Sequence, residues 1–122
     1  GFIVLDEDQC IVKNTYTLAR FYRHESCGQC SPCREGTGWM EKILKNIDTG
    51  KGKMSDIELL WDIQRKIEGN TICPLGDAAA WPVAAAIRHF RDEFEWHVNH
   101  PEEAQKRNYG LAHYADPIHV PA

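Results

Sequence analysis

Ser26-Cys27-Gly28-Gln29-Cys30-Ser31-Pro32-Cys33-Arg34-Glu35-Gly36 places three cysteines within seven residues, at the spacing C-x2-C-x2-C. Gly28 and Pro32 break both helix and strand, so this stretch predicts a loop. Gly28 also tolerates the positive φ that a tight wrap requires. Such a loop can aim three thiolates into one small volume, but it cannot supply a fourth without doubling back. The fourth arrives as Cys73-Pro74, about forty residues downstream.

A cubane cluster needs one thiolate at each of four iron atoms. A distant Cys followed by Pro is how ferredoxin-type sequences provide the remaining ligand. The spacing therefore predicts Cys27, Cys30, Cys33 and Cys73 as the iron ligands of a [4Fe-4S] cluster. Zinc also accepts four thiolates, and a zinc-stabilised docking module is the competing reading. Its usual signature, two separated C-x2-C pairs, is not the pattern here. A single cluster without further chemistry implies one-electron transfer, although a purely structural cluster is compatible with the same residues.

Both ligand loops run toward predicted helices, one from Arg34 and one from Asp77 or soon after. Helix N-termini carry unpaired N–H groups and partial positive charge, which favour an anionic cluster. Arg34, with Arg23 and His24 upstream, adds charge of the same sign. These features predict a cluster poised at a higher potential than an exposed ferredoxin cluster.

The remaining sequence reads as mainly α, a small four-helix bundle around that cluster. Asn14 or Thr15 caps a first helix bearing Leu18, Phe21 and Tyr22 on one face, which fades near His24 to Ser26. Trp39, Met40, Ile43, Leu44 and Ile47 form the buried stripe of a second. Ser55 and Glu58 read as a capping box for a third, carrying Ile57, Leu60, Trp61, Gln64 and Ile67 and stopped by Gly69-Asn70. Pro82 predicts a late start near Trp81 or a kink in the fourth. The tail over 100–122 is polar and aperiodic, and reads as extended or disordered. The apolar run Phe2-Ile3-Val4-Leu5 reads as a strand without a partner, hence the end of a sheet whose other strands precede this chain. Cys10 reads as a buried core thiol, the tryptophans as core, and His97, His100, His113 and His119 as surface residues. Packing of Trp39 and Trp81 beside the cluster is a further option.

The 122 residues suit one domain with a real core. A formal charge of −4 argues against nucleic acid as a partner. No apolar run approaches the eighteen or so residues that span a bilayer, so direct membrane insertion is not expected. Five cysteines, an odd number, do not make a complete disulfide framework, and a reducing compartment is the default expectation. No nucleophile–base pair, phosphate loop or dinucleotide fingerprint is present, so no catalytic residue is assigned.

With these residues in place, a resemblance becomes specific. His24-Glu25-Ser26-Cys27-Gly28-Gln29-Cys30, followed by Pro32-Cys33-Arg34-Glu35-Gly36, resembles the cluster loop of the NADH- and FMN-binding subunit of respiratory complex I. Glu68-Gly69-Asn70-Thr71-Ile72-Cys73, with Leu75-Gly76-Asp77-Ala78-Ala79-Ala80-Trp81-Pro82, is similar to that family's second ligand segment. The match runs over residues 1–96. It implies that residues 1–13 end an upstream ubiquitin-like domain, that 14–99 form a helical [4Fe-4S] domain, and that 100–122 are a tail. It further implies that Cys27, Cys30, Cys33 and Cys73 are the cluster ligands. Electrons would pass from FMN reduced by NADH to the iron–sulfur chain of an NADH-quinone oxidoreductase. The implied partners are the upstream FMN- and NADH-binding domains and neighbouring iron–sulfur subunits. The implied place is peripheral to the inner membrane, on the cytoplasmic side in bacteria or the matrix side in mitochondria. Diaphorase subunits of NAD-reducing hydrogenases and formate dehydrogenases are similar, and remain an alternative. The flavin and nicotinamide sites of the family lie outside this sequence, so the chain alone is not expected to oxidise NADH.

Overall fold

The structure, a computed structural model, describes residues 2–107. It contains α1 (Ile11–Glu25), α2 (Ser31–Asp48), α3 (Met54–Ile67), α4 (Leu75–Asn99) and the short α5 (Pro101–Arg107). α1 packs on α2 and α4, and α3 packs on the same two helices. The start of α1 meets the end of α4 through Cys10 and His97, and its end meets the start of α2 through Ser26 and Cys33. The first four helices therefore run alternately up and down, which brings the starts of α2 and α4 to one end.

Helical periodicity explains the core. Met40, Leu44 and Ile47 of α2 are fully buried against Ile57 and Leu60 of α3, with Val12, Val83 and Phe94 closing the centre. Each such side chain contributes about 1.5–3 kcal/mol by leaving water. Gln64 lies among them as expected from its position on the apolar face of α3.

Several expectations change. The strand over residues 2–5 is not formed. No strand occurs among the described residues, so Phe2, Ile3 and Val4 have no edge to pair with and stand exposed. α1 begins at Ile11, ahead of Asn14, because the Cys10 sulfur accepts a hydrogen bond from the Lys13 N–H at 3.4 Å. A thiol in the capping position is a signal that oxygen-based capping rules pass over. α3 starts at Met54, where the Asp56 carboxylate accepts from the Lys53 N–H at 2.8 Å. Glu58 pairs instead with Arg91 of α4.

α4 neither starts late nor bends at Pro82. It begins at Leu75 and continues past the proline, held by the buried face of Ala79, Ala80, Val83 and Ile87. The loss of one N–H does not interrupt it. The non-helical dihedrals fall at Phe90 (φ −132°, ψ 31°). The tail is also not wholly extended. Pro101 opens α5 at the position where its missing N–H costs nothing, with Glu102 and Glu103 in the first turn. The Gln105 side chain donates to the Thr49 carbonyl at 2.7 Å, and Ala104 is buried. Residues 108–122, including His113 and His119, lie outside the described residues.

Candidate metal centre

The first loop is shaped by its own backbone. α1 closes on Ser26, whose N–H donates to the Tyr22 carbonyl at 3.0 Å, and Gly28 then turns the chain with φ +82°. A side chain at that φ would be strained, so glycine is the residue the wrap requires. The Arg34 guanidinium reaches back over the loop, donating to the Gly28 carbonyl at 2.9 Å and to the Ser31 hydroxyl at 3.4 Å. α2 starts earlier than expected, at Ser31, with Cys30 as its N-cap and Pro32 in its first turn. Cys33 consequently sits inside the helix instead of ahead of it.

The second loop is drawn in by two contacts. The Asp77 carboxylate accepts from the Gly69 N–H at 2.7 Å, and the Thr71 hydroxyl donates to the Cys73 carbonyl at 3.0 Å. Gly76 permits this fold, because a Cβ there would overlap the Thr71 side chain. α4 then starts at Leu75, two residues after Cys73.

These loops meet. Cys27, Cys30, Cys33 and Cys73 line a single cavity of about 130 Å3, together with Ser26 and Thr71. Cys33 is buried, Cys30 half-buried, and Cys27 and Cys73 exposed. The Ile72 N–H donates to the Cys30 sulfur at 3.4 Å, and the Ser26 hydroxyl lies 3.2 Å from the Cys33 sulfur. Among the described residues, no three Cys, His, Asp or Glu side chains converge closely enough to share one metal ion. The four thiols surround a space. That arrangement, an all-sulfur donor set around a void with two helix N-termini opening on it, fits a polynuclear iron–sulfur group.

Each basic side chain expected around the site has an acidic partner. Arg23 pairs with Glu41, His24 with Glu25 at 3.0 Å, and Arg34 with Glu35 at 3.1 Å. None of these three side chains is among the residues that line the cavity. Trp81 and Trp39 do not shield it either. The Trp81 indole, exposed, donates to Glu68 at 2.8 Å, and Trp39 lines a separate groove of about 650 Å3 with Ile43, Leu59 and Ile63.

At the other end of the bundle, the buried Cys10 thiol lies 3.0 Å from Nε2 of His97. His97, expected on the surface, is 2% exposed. Its spacing three residues after Phe94 places it on the buried face of α4, a periodicity that would have identified it. Burial pushes the Cys10 thiol above its ordinary range, with the charges of Asp48 and Glu93 acting the same way and the Lys13 and Val12 N–H groups opposing.

Comparison with known proteins agrees with this geometry. The family model for the NADH-ubiquinone oxidoreductase-F iron–sulfur binding region matches residues 13–97. The F subunit of NADH-quinone oxidoreductase from Rickettsia typhi is 48% identical over 112 residues, covering 92% of this chain and 25% of that protein. An F subunit of the same enzyme from Rhizobium meliloti is 48% identical over 97 residues, 80% of this chain and 22% of that protein. The solved structure of an NAD+-reducing [NiFe]-hydrogenase in the H2-reduced state superposes with a TM-score of 0.74 at 35% identity. The match covers 78% of this chain and 17% of that one. The chain thus spans about a quarter of the length of the curated relatives it matches.

Proposed function

The chain belongs to the NADH-ubiquinone oxidoreductase-F iron–sulfur-binding family, and from that membership we propose that it is an electron relay whose Cys27, Cys30, Cys33 and Cys73 hold a [4Fe-4S] cluster. The observation that carries the reading is that four thiols, from loops about forty residues apart, line one cavity. Zinc's usual four-thiolate signature is two separated C-x2-C pairs, which C-x2-C-x2-C with one remote cysteine does not match. A [4Fe-4S] cluster supplies one-electron chemistry when bound.

The chain's own residues do the rest. Cys33 and Cys30 hold the inner side, where burial lowers the local dielectric. Cys27 and Cys73 hold the side that faces outward. The starts of α2 and α4 and the Ile72 N–H place partial positive charge against the sulfurs. Within a longer polypeptide, the relay would stand between a flavin reduced by NADH and the iron–sulfur centres of an NADH-quinone oxidoreductase. Residues 1–13 would then end an upstream domain, with 14–99 as the iron–sulfur domain. No described helix is long and apolar enough to cross a membrane. We place the chain in the aqueous arm of such a complex, peripheral to the inner membrane.

A second reading, a diaphorase domain of a hydrogenase, draws on the 35% identity to the hydrogenase structure. The 48–53% identity to the F subunits of NADH-quinone oxidoreductases favours the first. Anaerobic reconstitution followed by iron and sulfide analysis and EPR of the reduced protein tests the relay. A colourless protein with one zinc and no labile sulfide overturns it.

A further inference from the structure

We infer that Ser26 tunes the centre: its hydroxyl is the hydrogen-bond donor to the Cys33 sulfur and raises the reduction potential. This rests on the reading of the four cysteines as cluster ligands.

The donor direction follows from the contacts. Between a free thiol and a hydroxyl 3.2 Å apart, either partner can donate. A thiolate bound to iron has no proton, so only the Ser26 O–H remains as donor. The Gly28 N–H approaches the Ser26 oxygen at 3.4 Å and occupies its acceptor side, leaving the hydroxyl proton to point at Cys33. Ser26 is held for this task at the end of α1 by its backbone bond to Tyr22.

The effect has a sign. One electron added to a cluster, with no proton taken up, makes its sulfurs more negative. A hydrogen bond to a ligand sulfur then strengthens, which favours the reduced form. Cys33 is the most buried of the four ligands, and a hydrogen bond is electrostatically stronger away from water. Cys30 receives a comparable donor from the Ile72 backbone, which no side-chain substitution removes. Ser26 is thus the adjustable donor, on the inner side of the cavity. Arg34, the obvious cation, is committed to the Gly28 carbonyl and to Glu35.

The test is a potentiometric titration, followed by EPR, of the full chain carrying its reconstituted cluster. Ser26→Ala is expected to keep its iron and sulfide and to shift the midpoint to a more negative potential, while Ser26→Thr, which retains a hydroxyl, stays near the parent. An Ala variant with full iron and the parental midpoint overturns the inference. If Ser26→Ala takes up no iron, Ser26→Thr is compared with Ser26→Val, which differ in the hydroxyl. Equal midpoints there overturn it as well, and a more negative Val midpoint supports it. A parent chain that takes up no iron and sulfide overturns the ligand assignment, before any variant is compared.

Discussion

The sulfur of Cys10 lies 3.0 Å from Nε2 of His97, a contact between residues 87 positions apart that ties the start of α1 to the last turns of α4. The same sulfur accepts the Lys13 N–H, so one thiol both caps a helix and joins two elements. His97→Ala would leave the thiol without this partner and remove a buried ring from between α1 and α4. The expected cost is about 2–4 kcal/mol, read as a lower midpoint in urea. Cys10→Ser, which keeps a small capping group, is expected to cost less.

The pair also predicts an alkaline weakness. Burial raises the Cys10 thiol in the folded chain. A raised folded value means the folded state holds its proton more tightly, so the stabilisation is complete below the unfolded thiol value of about 8.5. It is lost as pH rises from there toward the folded value. Urea midpoints of the parent should therefore fall, as pH rises above about 8.5, more steeply than those of Cys10→Ser. Parallel curves would contradict the assignment.

Gly76→Ala tests the loop that carries Cys73. The new methyl group would overlap the Thr71 side chain, whose hydroxyl fixes the Cys73 carbonyl. Overpacking of this kind costs about 1–3 kcal/mol. The expected result is reduced iron uptake with helix content near that of the parent by circular dichroism, since the clash is confined to the loop and the first turn of α4.

Arg34→Ala tests both holding and tuning. The guanidinium is half exposed and balanced by Glu35, and its clearest contact is the Gly28 carbonyl. Its removal should free the loop by no more than about 1 kcal/mol, seen as faster iron loss to a chelator. The midpoint potential should move to a more negative value, since the substitution takes a positive charge from the loop and leaves Glu35 unbalanced.

These sites differ in how readable they are from sequence. The four thiols and the bundle are legible because C-x2-C-x2-C is a local spacing and because Met40, Leu44, Ile57 and Leu60 repeat with the helical period. The destinations of polar side chains are not. Arg34 lies beside Cys33 in the sequence, but only the fold shows its guanidinium reaching back to the Gly28 carbonyl. Glu58 fits a capping box by its spacing, whereas a residue thirty-three positions away on another helix holds it. The strand over 2–5 does not form because pairing depends on a partner that residue pattern alone does not provide. Pro82 misleads because propensity is a local preference, and a long packed face outweighs it.

α1 has a thiol-bearing structure at each end: Cys10 with His97 at its start, and Ser26 against Cys33 at its finish. Fifteen helical residues separate them, roughly 22 Å at 1.5 Å per residue. The fifth cysteine is therefore no spare. If oxidation or mutation removes a thiol from the exposed side of the cavity, ligand exchange cannot recruit Cys10 without unwinding the helix between them. On the proposed ligand assignment, a lost Cys27 or Cys73 could not be replaced by Cys10 in the folded bundle.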